Sequence, residues 1–295
     1  MRKVLITGAT GNVGIQVIES LRNLSLDLEI FAGLRDIDHD SEKLRKYGIK
    51  TLKFNFTDPE TFSDALSRVD ILFLLRPPQL SNVSEYFEPL INMASTCEIK
   101  HIVFLSVQGV DNSSIIPHYQ IEKLIVESKI PYTFLRPAYF MQNFTTILRK
   151  DIIEKKLIFL PAGTAKFTLI DVRDVGAVAA TIISDFEAHT NQSYELTSLE
   201  KLTFKEMAEK MSSILKITIR YRSPNLINFF ITKRSEKLPF SLILVMIMLH
   251  FLPRFKKEPQ ISKWVYILTG REPISFEQFV IDNINIFAAG TANVK

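Results

Sequence analysis

Through the first half of the chain, short and almost continuously apolar runs alternate with longer segments in which apolar residues recur at helical spacing. The runs at 3–7 (KVLIT), 29–34 (EIFAGL), 51–56 (TLKFNF), 71–75 (ILFLL), 101–106 (HIVFLS) and 132–136 (YTFLR) read as strands. Between them, residues 14–24, 40–47, 59–67, 83–97 and 117–128 read as amphipathic helices. Strands that are apolar on both faces, each followed by a helix, predict a parallel sheet covered on both sides, hence an α/β doubly wound fold. From about residue 150 the alternation loosens. Strands are expected at 167–171, 192–196 and 217–221, and helices at 175–184 and 204–215, the second capped by Thr203. We expect residues 1–150 to form the main sheet domain. A smaller α/β region, 151–295, would be packed on it and leave a cleft over the carboxyl ends of the strands.

Composition narrows the class. The 295 residues are 46% hydrophobic and 23% charged, a balance that excludes a disordered or coiled-coil chain. A net charge of +4 gives no reason to expect nucleic acid as a partner. Cys97 is the sole cysteine, so no internal disulfide can form, which fits a reducing, cytoplasmic setting. The most apolar stretch, 240–252 (FSLILVMIMLHFL), falls short of the roughly 20 residues a spanning helix needs, so no transmembrane segment is expected. It reads as a helix buried in the core or at a homodimer or protein-partner interface. Attachment to a membrane surface, helped by Arg254, Lys256 and Lys257, is the alternative.

Chemistry enters at the first turn. Directly after the first strand the chain reads Thr7-Gly8-Ala9-Thr10-Gly11-Asn12-Val13-Gly14 and then opens a helix. Gly8 allows a tight turn, Gly11 lets backbone approach a pyrophosphate, and Gly14 lets helix and strand close up. The helix N-terminus adds unpaired N–H groups and a positive dipole end. This is a dinucleotide-binding loop of a Rossmann fold, and Thr10, Asn12 and Val13 belong to it. At the end of the second strand an acidic residue would hold a ribose 2′-hydroxyl, whereas Arg35 can accept a 2′-phosphate through paired, charged hydrogen bonds. NADP(H) is therefore favoured and NAD(H) stays possible, because Asp36 beside Arg35 could neutralise it or take the ribose itself.

These residues, with 72–78 (LFLLRPP), 105–110 (LSVQGV), 117–144 (PHYQIEKLIVESKIPYTFLRPAYFMQNF) and 269–280 (TGREPISFEQFV), resemble the NmrA-like branch of the atypical short-chain dehydrogenases/reductases. By pattern that branch includes quinone and triphenylmethane-dye reductases, isoflavone-type reductases and cofactor-binding regulators. The resemblance implies that Asn55 and Phe56 lie near adenine, although the family's usual Asp there is absent. It places Leu75, Arg76 and Pro77 along the adenosine and phosphates, and Phe140 and Asn143 near the nicotinamide. Ser106 would face cofactor or substrate; Gln108, Tyr139 and Phe144 would border the substrate.

Tyr119 and Lys123 spell the Tyr-x-x-x-Lys of classical reductases. Aligning Glu122 with the glutamate that follows the family's catalytic lysine argues against that match. The lysine position then falls on His118 and the tyrosine position on Ser114. His118, with an ordinary pKa near 6.5, is the expected catalytic group, able to hold the ribose or pass a proton, with Glu122 orienting the ring one turn on. The five histidines lack metal-ligand spacing, and Asp171, Arg173 and Asp174 read as a structural ion network. No metal is expected. Two functions follow: an NAD(P)H-dependent reductase of a quinone or similar conjugated apolar acceptor, or a cofactor-sensing regulator without turnover.

Overall fold

In a computed structural model, which describes residues 2–24 and 27–288, the chain divides into two compact units. The first comprises residues 2–138 together with 172–196 and 263–272; the second takes the intervening segments and the rest of the C-terminal part. Residues 289–295, the end of the expected C-terminal region, lie outside the described residues.

The first unit carries a seven-stranded sheet. Its strands are β1 (Arg2–Ile6), β2 (Leu28–Leu34), β3 (Lys50–Lys53), β4 (Ile71–Leu75), β5 (His101–Leu105) and β6 (Tyr132–Pro137). The later strand β10 (Gln192–Leu196) pairs with β6 and completes the order β10-β6-β5-β4-β1-β2-β3. Every pairing is parallel. The whole of β5 and most of β4 are buried, as expected of strands with helices on both faces. The order reverses between β1 and β4, and that switch point is where doubly wound sheets place ligands. The doubly wound α/β architecture read from the sequence is the one found.

Several details depart from the sequence reading: the boundary expected at residue 150 falls at 138, and residues 263–272 return to the first unit. The third strand stops at Lys53 because Asn55 turns the chain: its side-chain oxygen accepts from the Thr57 N–H (3.1 Å) and hydroxyl (3.0 Å). And residues 172–196 join the first unit because the helix Val172–Ser184 packs on the helix Asn12–Asn23. A Cβ at Gly176 would stand 2.6 Å from the Gln16 carbonyl oxygen, so only glycine admits that approach.

The second unit has a three-stranded sheet, in the order β11 (Lys201–Thr203), β9 (Lys166–Ile170), β7 (Tyr139–Phe140), and a pair of β12 (Arg220–Arg222) with β8 (Leu157–Phe159). Its core is aromatic, built around Phe144, Phe204, Phe229, Phe276 and Phe279. The apolar run 240–252 forms the helix Phe240–Phe251 of this unit. Among the described residues no helix is long and apolar enough to cross a membrane.

Candidate functional site

The loop after β1 is fixed by backbone and by one buried hydroxyl. Thr7 Oγ1 donates to the Phe73 carbonyl (3.0 Å) and accepts from the Leu75 N–H (2.8 Å), tying the turn to the end of β4. Gly8 takes φ +61°, open to glycine at little cost. A Cβ on Gly14 would come within 2.3 Å of the Gly8 carbonyl oxygen, so the helix can start this close to the turn only with glycine there. Gly11 is the N-cap of that helix and brings no side-chain cap. The first-turn N–H groups therefore keep their hydrogen-bonding capacity and the positive end of the helix dipole. Gly11 and Asn12 are exposed, Thr10 is half-buried, and Val13 and Gly14 are buried.

At the end of β2, Arg35 is exposed and makes no hydrogen bond or ion pair among the described residues. Asp36 neither neutralises it nor remains fully available, because its carboxylate caps the next helix by accepting from the His39 N–H (3.1 Å). Asn55 is the turn residue described above. Phe56 is buried, its ring packed against those of Phe54 and Phe87.

At the carboxyl ends of β4 and β5, buried polar atoms lack partners. Arg76 folds back, its Nη1 donating to the carbonyls of Pro77 (3.0 Å), Pro78 (3.2 Å) and Leu80 (2.9 Å), while its buried Nε meets no acceptor. Burial lowers the Arg76 pKa, though a guanidinium stays charged. Half-buried Leu75 lies against Gly8. Ser106 is buried and its hydroxyl has no partner. Gln108, in contrast, donates to Glu195 (3.1 Å), which also accepts from the Gly109 N–H (3.4 Å).

The helix Pro117–Glu127 corrects two expectations. His118 is half-buried with its ring 6.1 Å from that of Phe104, and burial, assisted by the charge of Arg76, pushes its pKa down to about 3. At pH 7 the imidazole is then neutral, with one nitrogen to donate a hydrogen bond and one to accept. Glu122 does not orient it: that buried carboxylate takes a bidentate pair from Arg136 (3.1 and 2.6 Å), which Asp111 also engages (2.8 Å). Lys123 faces solvent and pairs with Glu127 (3.6 Å), and Ser114 is exposed, so the Tyr119/Lys123 spelling does not build a buried dyad.

The remaining predicted residues belong to the second unit. Phe140 and Asn143 are half-buried. Tyr139 donates its hydroxyl to His250 Nε2 (3.1 Å), and His250 Nδ1 donates to the Met246 carbonyl (2.6 Å). Burial holds His250 neutral, with a pKa of about 4, and raises that of the Tyr139 phenol. Phe144, expected to border the substrate, is fully buried between Phe204 and Phe276, with ring centroids 6.1 and 4.9 Å away, and has no free face. Sequence reasoning missed His250; its signal was a histidine near the end of a run whose one other polar residue is Ser241. It also missed a buried ionic cluster in which Lys233 pairs with Asp151 (2.5 Å) and Glu236 (2.8 Å). The expected ion network after β9 contains an ion pair of Asp174 with Arg271 (2.7 Å). Among the described residues no group of three or more His, Cys, Asp or Glu side chains could hold a metal ion.

A doubly wound sheet whose glycine turn meets an uncapped helix at the switch strand is the framework of a dinucleotide-binding protein. The NmrA-like family model matches residues 1–254, and the chain belongs to that family. It is 30% identical over 222 residues to the NAD(P)H azoreductase of Xenophilus azovorans, covering 74% of this chain and 76% of that one. It is 29% identical over 278 residues to the prestalk A differentiation protein A of Dictyostelium discoideum, covering 94% and 90%. The NADPH-dependent quinone oxidoreductase QOR2 of Escherichia coli, solved with NADPH, shares the fold at a TM-score of 0.84 and 24% identity, over 95% of this chain and 99% of that one.

Proposed function

We propose that the protein is an NAD(P)H-dependent oxidoreductase, with NADPH favoured, that passes a hydride to a quinone or another conjugated apolar acceptor, and that it works in the cytoplasm. The observation that carries this reading is the helix start at Gly11–Gly14, closed to any side chain at Gly14 and uncapped at Gly11. Such a terminus receives a pyrophosphate on backbone N–H groups. Arg35, exposed beside an Asp36 already engaged as a cap, would take the 2′-phosphate. Asn55 and the backbone of Phe56 would border adenine; Leu75, Arg76 and Pro77 would follow the adenosine and phosphates. The unpartnered Arg76 Nε and Ser106 hydroxyl are donors that fit an anionic, oxygen-rich ligand. Phe140 and Asn143 would border the nicotinamide, with Gln108 and Tyr139 nearer the acceptor.

When bound, the nicotinamide supplies the hydride, which is the difficult step. The chain's part is to bind, orient and keep water away. Neutral His118 would offer one N–H donor and one acceptor to ribose or acceptor carbonyl. That is enough for an easily reduced acceptor and too little for alcohol chemistry that needs a proton relay. The azoreductase likeness supports the same class.

The test is cofactor binding by calorimetry, followed by NADPH oxidation against a panel of quinones with NADH and enzyme-free controls. Turnover with a quinone is expected. Arg35→Ala should weaken NADPH by about 10- to 100-fold, the value of charged hydrogen bonds, and NADH by less than about twofold. Equal losses would remove the 2′-phosphate assignment. A second reading, a cofactor-dependent regulator without turnover, is favoured by the solvent-facing Lys123 and by the likeness to the prestalk differentiation protein. Tight binding with no oxidation across the panel would favour it.

A further inference from the structure

The helix Phe240–Phe251 has two apolar faces and only one of them is covered. Ile243, Met246 and His250, which share one side at helical spacing, are buried in the second unit. On the other side Phe240, Leu244, Val245, Met248 and Leu249, with Leu252 just beyond the helix, are all exposed, Met248 and Leu249 by about half. The preceding helix, Leu226–Ser235, makes a ring contact with this one through Phe230 and Phe240 (5.8 Å) and leaves Ile227 and Ile231 exposed at 73% and 62%. Monomeric soluble domains rarely leave so much contiguous apolar surface to water.

What surrounds this face chooses its occupant. Arg234 and Lys237 precede the helix, and Arg254, Lys256 and Lys257 follow it; all five are exposed. From residue 225 to 257 the one acidic residue is Glu236, already paired with Lys155 and Lys233. Beside the helix's C-terminal end lies a recess of about 380 Å³ lined by Lys166, Arg254 and Lys256, with Glu258 engaged by Lys166 (3.7 Å) and Lys201 (3.1 Å). A second copy docked on the face, in either direction, would bring cation against cation. A protein partner would be expected to find about one hydrogen bond per 100–200 Å², yet Ser241 is the sole polar side chain on the outward face of the helix Phe240–Phe251.

We infer that this face binds the surface of an anionic lipid bilayer, with the helix lying in the interfacial plane, its outer side chains in the acyl boundary, and the flanking cations and basic recess on phosphate headgroups. Its 12 residues span about 18 Å, too short to cross a hydrocarbon core of about 30 Å but suited to lie along one. Each cation near an anionic surface adds on the order of fivefold in affinity. The inference does not depend on the reductase reading, since it uses none of the residues assigned to the cofactor.

The experiment is flotation of the full-length chain with vesicles of phosphatidylcholine alone and of phosphatidylcholine mixed with phosphatidylglycerol, at low and high salt. The wild-type chain should float with the mixed vesicles, less with the neutral ones, and less again at high salt. Met248→Asp/Leu249→Asp, both outward-facing, should lose at least about tenfold in partitioning with an unchanged melting temperature. Arg254→Gln/Lys256→Gln/Lys257→Gln should remove most of the preference for the anionic lipid. Absence of flotation with anionic vesicles overturns the inference, as does flotation that neither variant reduces. A dimer in light scattering that Met248→Asp/Leu249→Asp dissociates, without flotation, assigns the face to a second copy instead.

Discussion

At the carboxyl edge of the seven-stranded sheet, Arg76 Nε and the Ser106 hydroxyl are buried without hydrogen-bond partners, and His118 is kept uncharged. In the second unit, polar groups of comparable burial form closed sets: Tyr139 to His250 to the Met246 carbonyl, and Lys233 among Asp151, Glu236 and the nearby Lys155. A buried polar atom left unpaired costs about 1–3 kcal/mol, so a fold tolerates several together mainly where a ligand completes them. The comparison thus sets residues whose polar groups are paired within the protein against two whose buried donors are not. His101 marks its limit. One of its ring nitrogens meets Thr133 (2.8 Å) and the other meets nothing, yet it begins β5, at the far end of the strand from Ser106.

The largest expected effect tests the closed side. Lys233→Met leaves Asp151 and Glu236 with Lys155 alone and should destabilise the protein by about 3 kcal/mol, the lower end for breaking a buried ion pair. Cofactor affinity should hardly move; a large loss of affinity in the folded variant would break the division between the two sets. Asp151 adds a pH signature. Burial pushes its pKa up, but hydrogen bonds from Lys155 and Lys233 outweigh that and set it below the ordinary aspartate value of 3.8. A depressed folded pKa stabilises the protein above 3.8 and ceases to do so as pH falls through the folded value. Acid melts should show that loss in the wild type and less of it in Lys233→Met.

Gly14→Ala tests the open side. The added Cβ would meet Gly8 and Ala9 backbone at 2.3 and 2.8 Å, and neither can rotate away. Overpacking of this kind costs about 1–3 kcal/mol, and relief requires the turn to move from the helix end. Calorimetry should find NADPH affinity reduced by at least about tenfold with the fold retained by circular dichroism. Unchanged affinity would mean the loop is structural.

These two variants also mark what could be read in the sequence. The glycine loop was legible because it is made of backbone: Gly8, Gly11 and Gly14 are recognisable by residue type alone, and the apolar runs around them fix which strand they follow. The parallel sheet was legible for the same reason, since strands buried on both faces carry no alternation. Side-chain partners were not. Glu122 looked like His118's neighbour at helical spacing, yet its partner, Arg136, arrives from β6. Phe144 and Phe56 looked like pocket aromatics, but whether a ring faces a pocket or a core depends on tertiary packing. The return of residues 172–196 to the first unit rests on Gly176, a lone glycine in a helix whose close neighbour lies far away in sequence.

Ser106→Ala is the finer probe, because the two readings of that residue differ in sign. Removing an unpartnered buried hydroxyl should leave the cofactor-free protein equally stable or raise its stability by up to about 1 kcal/mol. Cofactor affinity or turnover should fall severalfold if the hydroxyl meets ligand. A variant that loses stability and keeps its affinity would place Ser106 with the structural set.

The smallest effects concern the helix Pro117–Glu127. Lys123→Ala should change stability and turnover by less than about 0.5 kcal/mol, as for an exposed ion pair. His118→Asn should lower turnover or nicotinamide affinity, since it removes a ring placed among Arg76 and Phe104. The pH dependence distinguishes how the ring acts. A folded pKa of about 3, against 6.5 for a free imidazole, means the unfolded chain takes up a proton first as pH drops. Stability is therefore complete above 6.5 and declines as pH falls from there toward 3, and His118→Asn should flatten part of that decline. Turnover should show no limb at 6.5. A rate that fell above 6.5 in the wild type and became pH-independent in His118→Asn would make His118 a charged acid after all, and would require that bound cofactor offset both its burial and the field of Arg76.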